Sequence, residues 1–172
     1  CIRDRILRDH MDEGQLTEAI LKLKAEREAI ILAHNYQREE IQLLADHVGD
    51  SLERARWSTK VRGKLVVFAG VDFMAQTAAM LNPDKTVIIP DTEARCPMAA
   101  QLPPELVKEA KRRHPGASVV LYINTLAEAR AAADVTCTSA NASQIVNALD
   151  EEEIIFGPDR NLAWFVQQRT DK

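Results

Sequence analysis

Short apolar runs and longer helical patterns alternate along this chain. Residues 29–33, 64–69, 86–90, 118–123 and 153–156 are compact apolar runs bounded by polar or turn-forming residues, and they read as strands. Between them the spacing turns helical. Thr17 is a cap residue for a helix through Ile20, Leu21, Leu23 and Lys24 to Glu28, and Ile41, Leu44, Ala45 and Val48 continue the pattern after the first strand. Ser51 opens another helix with Leu52, Ala55 and Trp57 behind it. Residues 71–81 read as a helix closed by Asn82-Pro83, and Pro103-Pro104 opens one through Leu106, Val107 and Ala110. Leu126, Ala129, Ala132 and Ala133 mark a further helix, Ser139 caps one that runs to Leu149, and the last covers 161–166. Strands alternating with helices at this spacing predict parallel βαβ units, an α/β fold.

The pattern repeats. A shift of 88 residues, without a gap, carries Ala45 onto Ala133, Asp46 onto Asp134, Ser51 onto Ser139 and Phe68 onto Phe156. It carries the strand-end pair His34 and Tyr36 onto Tyr122 and Asn124. The reading is therefore an extension at residues 1–15, with Gly14 as a breaker, a first repeat at 16–117 and a second at 118–172. The same shift takes strand 86–90 to 174–178 and Cys96 to 184, both past Lys172. The second repeat is thus expected to be incomplete and the chain to be a piece of a longer protein.

Composition narrows the function classes. A net charge of −4 with basic residues scattered among acidic ones gives no footprint for nucleic acid. No apolar run reaches the roughly 20 residues of a membrane span, and no signal-peptide pattern opens the chain, so a cytoplasmic protein is expected. Cys1, Cys96 and Cys137 have neither zinc spacing nor an even disulfide count.

Candidate chemistry gathers at strand ends. His34 and Tyr36 follow the first strand and precede a helix, the place where open parallel sheets bind ligands. An imidazole and a phenol two residues apart on extended backbone face the same way and can exchange protons with a small polar substrate. The same residues also suit a satisfied histidine beside an interfacial tyrosine. Ser51 and Ser139, at equivalent helix starts, suit either plain capping or the holding of substrate carboxylates or phosphate. Cys96, in a proline-flanked loop, suits a metal ligand or an inert thiol, whereas Cys137 reads as packing.

At these residues the chain resembles the quinolinate synthase family of NAD biosynthesis. The resemblance runs through 31–37, 44–46, 49–52, 68–74, 83–87, 96–98, 122–125, 138–139 and 158–162. It implies three αβα repeats with short parallel sheets around a pseudo-threefold axis, of which this chain holds two, the second incomplete. It implies a transferase that condenses iminoaspartate with dihydroxyacetone phosphate to quinolinate, with L-aspartate oxidase as a candidate supplier of iminoaspartate. It implies a [4Fe–4S] cluster held by one cysteine per repeat, with Cys96 as the first ligand. His34 and Tyr36 become acid/base and positioning residues, and His34, Ser51, Tyr122, Asn124 and Ser139 substrate-binding groups. The chain departs from the family in lacking the second and third cysteine loops, so the piece alone is expected to be inactive. The competing reading is a non-catalytic small-acid-binding module without the cluster.

Overall fold

The computed structural model describes residues 11–49 and 63–172. The chain divides into two compact units, Cys1–Thr92 and Glu93–Lys172.

In the first unit, helix α1 (Glu13–Glu26) leads into strand β1 (Ala29–His34), helix α2 (Glu39–Leu44) and strand β2 (His47–Gly49). After the undescribed residues come β3 (Leu65–Ala69), α3 (Asp72–Leu81) and β4 (Thr86–Ile88). The strands form one parallel sheet in the order β2-β1-β3-β4. Its centre is dry: Leu32, Ala33, Val66 and Phe68 are fully buried, as consecutive apolar residues on a doubly covered parallel sheet should be.

The second unit opens with α4 (Pro97–Ala100) and α5 (Pro104–Arg113). It continues with β5 (Ser118–Tyr122), α6 (Ala127–Arg130), β6 (Val135–Cys137), α7 (Ala142–Asn147), β7 (Ile154–Gly157) and α8 (Arg160–Gln167). The parallel sheet order is β6-β5-β7. Val120 packs with Cys137, Ala142, Val146 and Val166 on one face, and Val119 and Leu121 with Val107 and Ala129 on the other. Helices on both faces of a short sheet make this a three-layer α/β architecture.

The strand registers repeat at the shift of 88. Leu32 pairs with His47 and Val120 with Val135; Ile30 pairs with Val66 and Ser118 with Ile154.

Three local expectations change. The helix after β1 stops at Leu44, and His47–Gly49 is a strand on β1; Asp46 takes the chain over by bonding to Ile31 through both its backbone and its carboxylate. Helix α1 is capped by Asp12 rather than Thr17, because Asp12 and Gln15 form a reciprocal capping box, which carries Gly14 inside the helix. Helix α7 begins at Ala142, so Ser139 lies in the preceding turn and is not its cap; Asn141 ties that turn through Thr138. Helix α5 packs on β5 within the unit Glu93–Lys172. The helix expected behind Ser51 lies outside the described residues.

Candidate functional site

In the first unit the sequence-predicted pair lies where β1 ends. His34 is the last residue of β1, and the chain turns at Asn35-Tyr36, held by Asn35 N–H donating to Gly49 O at 3.3 Å and Gln37 N–H to His34 O at 2.9 Å. The turn folds the two rings together. Their centroids lie 3.9 Å apart with planes 16° from parallel. Tyr36 N–H donates to His34 Nδ1 at 3.3 Å. With Nδ1 accepting, the ring is assigned the neutral tautomer that carries its proton on Nε2. The Tyr36 hydroxyl donates to Met74 Sδ at 3.9 Å, and the tyrosine is 52% exposed. The pair thus sets an imidazole and a phenol side by side just past the carboxyl end of a parallel strand, the edge where open parallel sheets bind ligands.

In the second unit the equivalent strand end carries Tyr122, the last residue of β5, with Asn124 two residues on in the following bend. Cys137, at the end of β6, is the register partner of Tyr122. Ser139 follows in the turn after β6. Burial pushes the Tyr122 phenol above its ordinary value, hydrogen bonding with the Ser139 side chain pulls it partly back, and Asp159, Cys137 and Cys96 add upward pushes. Tyr122, Ser139, Asp159 and Cys96 therefore share one neighbourhood. At neutral pH the phenol is protonated and serves as a donor rather than a base. Asp159 was not singled out on sequence. It follows β7, and its Oδ1 caps α8 by accepting from Asn161 N–H at 2.8 Å and Leu162 N–H at 3.1 Å. A capping aspartate is legible in sequence, but its closeness to Tyr122 follows from the β5–β7 register, which pairs Leu121 with Gly157.

Cys96 occupies the N-cap position of the short helix α4, extended and half-buried, with a free thiol. Cys137 is 2% exposed, and burial raises its thiol to about 11, so it is an inert packing group. Among the described residues no group of three or more His, Cys, Asp or Glu side chains comes together as a metal site. One accessible thiolate does not hold a cubane cluster, so the described residues do not by themselves fit a [4Fe–4S] group. Ser51 lies outside the described residues. Among the described residues no helix is long and apolar enough to cross a membrane.

Comparison with known proteins gives one consistent result. The profile of the family described as Quinolinate synthetase A protein matches residues 18–172. The chain is 60% identical over 160 residues to a quinolinate synthase of Methanothermobacter thermautotrophicus, covering 92% of this chain and 53% of that protein. It is 60% identical over 157 residues to one of Pyrococcus horikoshii, covering 91% and 52%. For one of Thermotoga petrophila the identity is 53% over 157 residues, covering 91% and 53%. The chain spans about half the length of the curated relatives it matches.

Proposed function

The chain belongs to the quinolinate synthetase A protein family, and from that membership we propose that it is part of a quinolinate synthase, a transferase that condenses iminoaspartate with dihydroxyacetone phosphate in NAD biosynthesis. The observation that carries the reading is the stacked His34–Tyr36 pair at the carboxyl end of β1, which sets an imidazole and a phenol side by side where open parallel sheets bind ligands.

In this reading His34 donates from Nε2 to a substrate oxygen and takes the proton back as the reaction proceeds. Tyr36 supplies or accepts a second proton through its hydroxyl. Tyr122, kept protonated by burial, donates a hydrogen bond to a substrate carboxylate or phosphate, and Asn124 and Ser139 add neutral donors. Ser51 has the same role by its place in the repeat. L-aspartate oxidase is the proposed source of iminoaspartate, and the cytoplasm the proposed compartment.

Cys96 is proposed as one thiolate ligand of a [4Fe–4S] cluster whose other ligands come from outside the described residues. This chain alone is then inactive.

The test uses the 172-residue chain, anaerobically reconstituted with iron and sulfide, with and without a co-expressed segment matching the second half of the Methanothermobacter thermautotrophicus relative. Quinolinate formation is expected only with the complement. Absence of activity in a complemented sample that binds iron and sulfide normally would overturn the reading and favour a non-catalytic small-acid-binding module.

A further inference from the structure

We propose that Met74 is the positioning residue of the Tyr36 phenol: its thioether sulfur accepts the hydroxyl hydrogen bond and holds the ring against His34. This rests on the reading of His34 and Tyr36 as the acid/base pair.

Three observations converge. The first is the contact itself, Tyr36 O–H to Met74 Sδ at 3.9 Å, combined with the ring stack on the other side of the phenol. Tyr36 lies in a turn and is more than half exposed, so burial alone does not fix its ring. The second is that the sulfur is well anchored. Met74 is only 7% exposed, it is the third residue of α3, and its N–H is bonded to Val71 O at 3.1 Å. The surroundings are tight: a Cβ on Gly70 would lie 2.8 Å from Phe68 Cε1 and 3.5 Å from Met74 Sδ. A side chain at residue 70 would crowd the ring beside the sulfur. The third comes from the repeat. At the shift of 88, Tyr36 becomes Asn124 and Met74 becomes Leu162. The second unit keeps an apolar residue at this helix position but loses the sulfur together with the phenol.

The chemistry suits a waiting position. A thioether is a weak acceptor, so it orients a hydroxyl without competing strongly for it. A substrate oxygen can displace sulfur as the acceptor of the hydroxyl hydrogen bond at small cost. A carboxylate in the same place would hold the phenol tightly and add charge beside His34.

The test is NMR of the 172-residue chain labelled with carbon-13 at histidine, comparing Met74→Leu, Tyr36→Phe and the double variant. His34 signals are identified by their loss in His34→Gln. Leucine keeps most of the apolar volume and removes the sulfur. In the unsubstituted chain the stacked Tyr36 ring displaces the His34 ring-proton signals upfield. Met74→Leu should lose most of that displacement while its thermal midpoint stays close to that of the parent chain. Tyr36→Phe should lose it to a similar extent, and the double variant should lose no more than either single change, because one shared interaction is being removed. An unchanged displacement in Met74→Leu overturns the proposal, and so do additive losses in the double variant. Should Met74→Leu not fold, Met74→Ile is the second variant, with the same outcomes read in the same way. The acid/base reading fails separately: a collapsed stack in Met74→Leu together with normal turnover of a complemented Tyr36→Phe enzyme upholds the positioning role and removes the catalytic one.

Discussion

Asp46 and Asp134 make the same set of bonds in the two units. Asp46 Oδ2 accepts from Ile31 N–H at 2.8 Å, and Asp134 Oδ2 from Val119 N–H at 2.9 Å. The other oxygen of each carries a lysine from the preceding long helix, Lys24 at 2.7 Å and Lys111 at 2.5 Å. The backbone N–H of each aspartate returns to the same strand residue, at 2.8 and 3.0 Å. Each aspartate thus ties a helix, the central strand and the start of the short strand beside it into one joint. That joint sets the register of β1 and β5, whose last residues are His34 and Tyr122.

Removing either carboxylate strands a strand N–H. Asp46→Ala and Asp134→Ala are each expected to cost about 1–3 kcal/mol of stability, the usual penalty of an unpaired buried donor. Chemical denaturation midpoints at neutral pH measure it, and Asp134→Asn, which keeps an acceptor, should lose less. The pH dependence has a definite sign. The hydrogen bond from Lys111, then that from Val119 N–H, holds the Asp134 carboxyl below its ordinary value. Its folded value is lower than its unfolded one, so its contribution is present above about 3.9 and fades as pH falls through the depressed value. Exposure of both charged partners trims the effect by solvent screening. Thermal midpoints of the parent chain and Asp134→Asn should therefore converge as pH is lowered through that range, and a constant gap would count against the joint.

The two described cysteines should part in reactivity. Cys137 is sealed in the second core with its thiol raised to about 11, while Cys96 is half-buried at a helix start. Iodoacetamide at mildly alkaline pH, followed by peptide mass spectrometry, should label Cys96 in the folded chain and Cys137 only after denaturation. In the complemented enzyme Cys96→Ala should abolish iron and sulfide incorporation and Cys137→Ala should leave it intact. Equal loss in both variants would mean that the ligand has been misassigned.

Tyr36→Phe separates a chemical role from packing. The change removes one hydroxyl and keeps the aromatic ring itself. If the phenol transfers a proton, turnover of the complemented enzyme should fall by roughly 10²–10⁴, the weight of one general acid or base. Cluster content, read from visible absorbance, should be unchanged. Near-normal turnover moves Tyr36 to the packing residues. His34→Ala should also lose activity, with an added binding defect from the space it leaves.

Tyr122 should titrate late. The chain has two tyrosines, so in a Tyr36→Phe background the ultraviolet signal of tyrosinate belongs to Tyr122 alone. Its midpoint should lie above the ordinary value near 10. Asp159→Asn keeps a competent helix cap but removes a negative charge near the phenol, so it should lower the midpoint. Ser139→Ala should raise it. A midpoint unmoved by both changes would show that these side chains do not reach the phenol.

Periodicity made the central strands legible. Ile31, Leu32 and Ala33, and Val119, Val120 and Leu121, are buried on both faces, and an unbroken apolar run says so. The flanking strands were harder. His47-Val48-Gly49 has no strand pattern of its own and is a strand because β1 pairs with it. Helix starts misled for a related reason. Thr17 and Ser139 are sound cap residues by type, but Asp12 with Gln15 and Asn141 with Thr138 took those places through bonds that residue type alone does not rank. At the site, the spacing of His34 and Tyr36 marked the pair, but not how it forms: the turn at Asn35-Tyr36, rather than extended backbone, brings the two rings together. The Met74 contact was not legible, since it joins residues 38 apart through the placement of α3 on the sheet.

The repeated register also shapes how the chain acquires its structure. The pairing of Ala33 with Val48 spans 15 residues and that of Ile30 with Val66 spans 36, and Leu121 with Thr136 and Ser118 with Ile154 span the same distances. These are modest loops for parallel sheets, so the entropy of closing each is small and the first contacts are local. Each unit carries its own early nucleus: a central strand, one short crossover and the strand beside it. A substitution at Ile31 or at Val119 should then slow the folding of its own unit, and the chain should refold in two kinetically separable events.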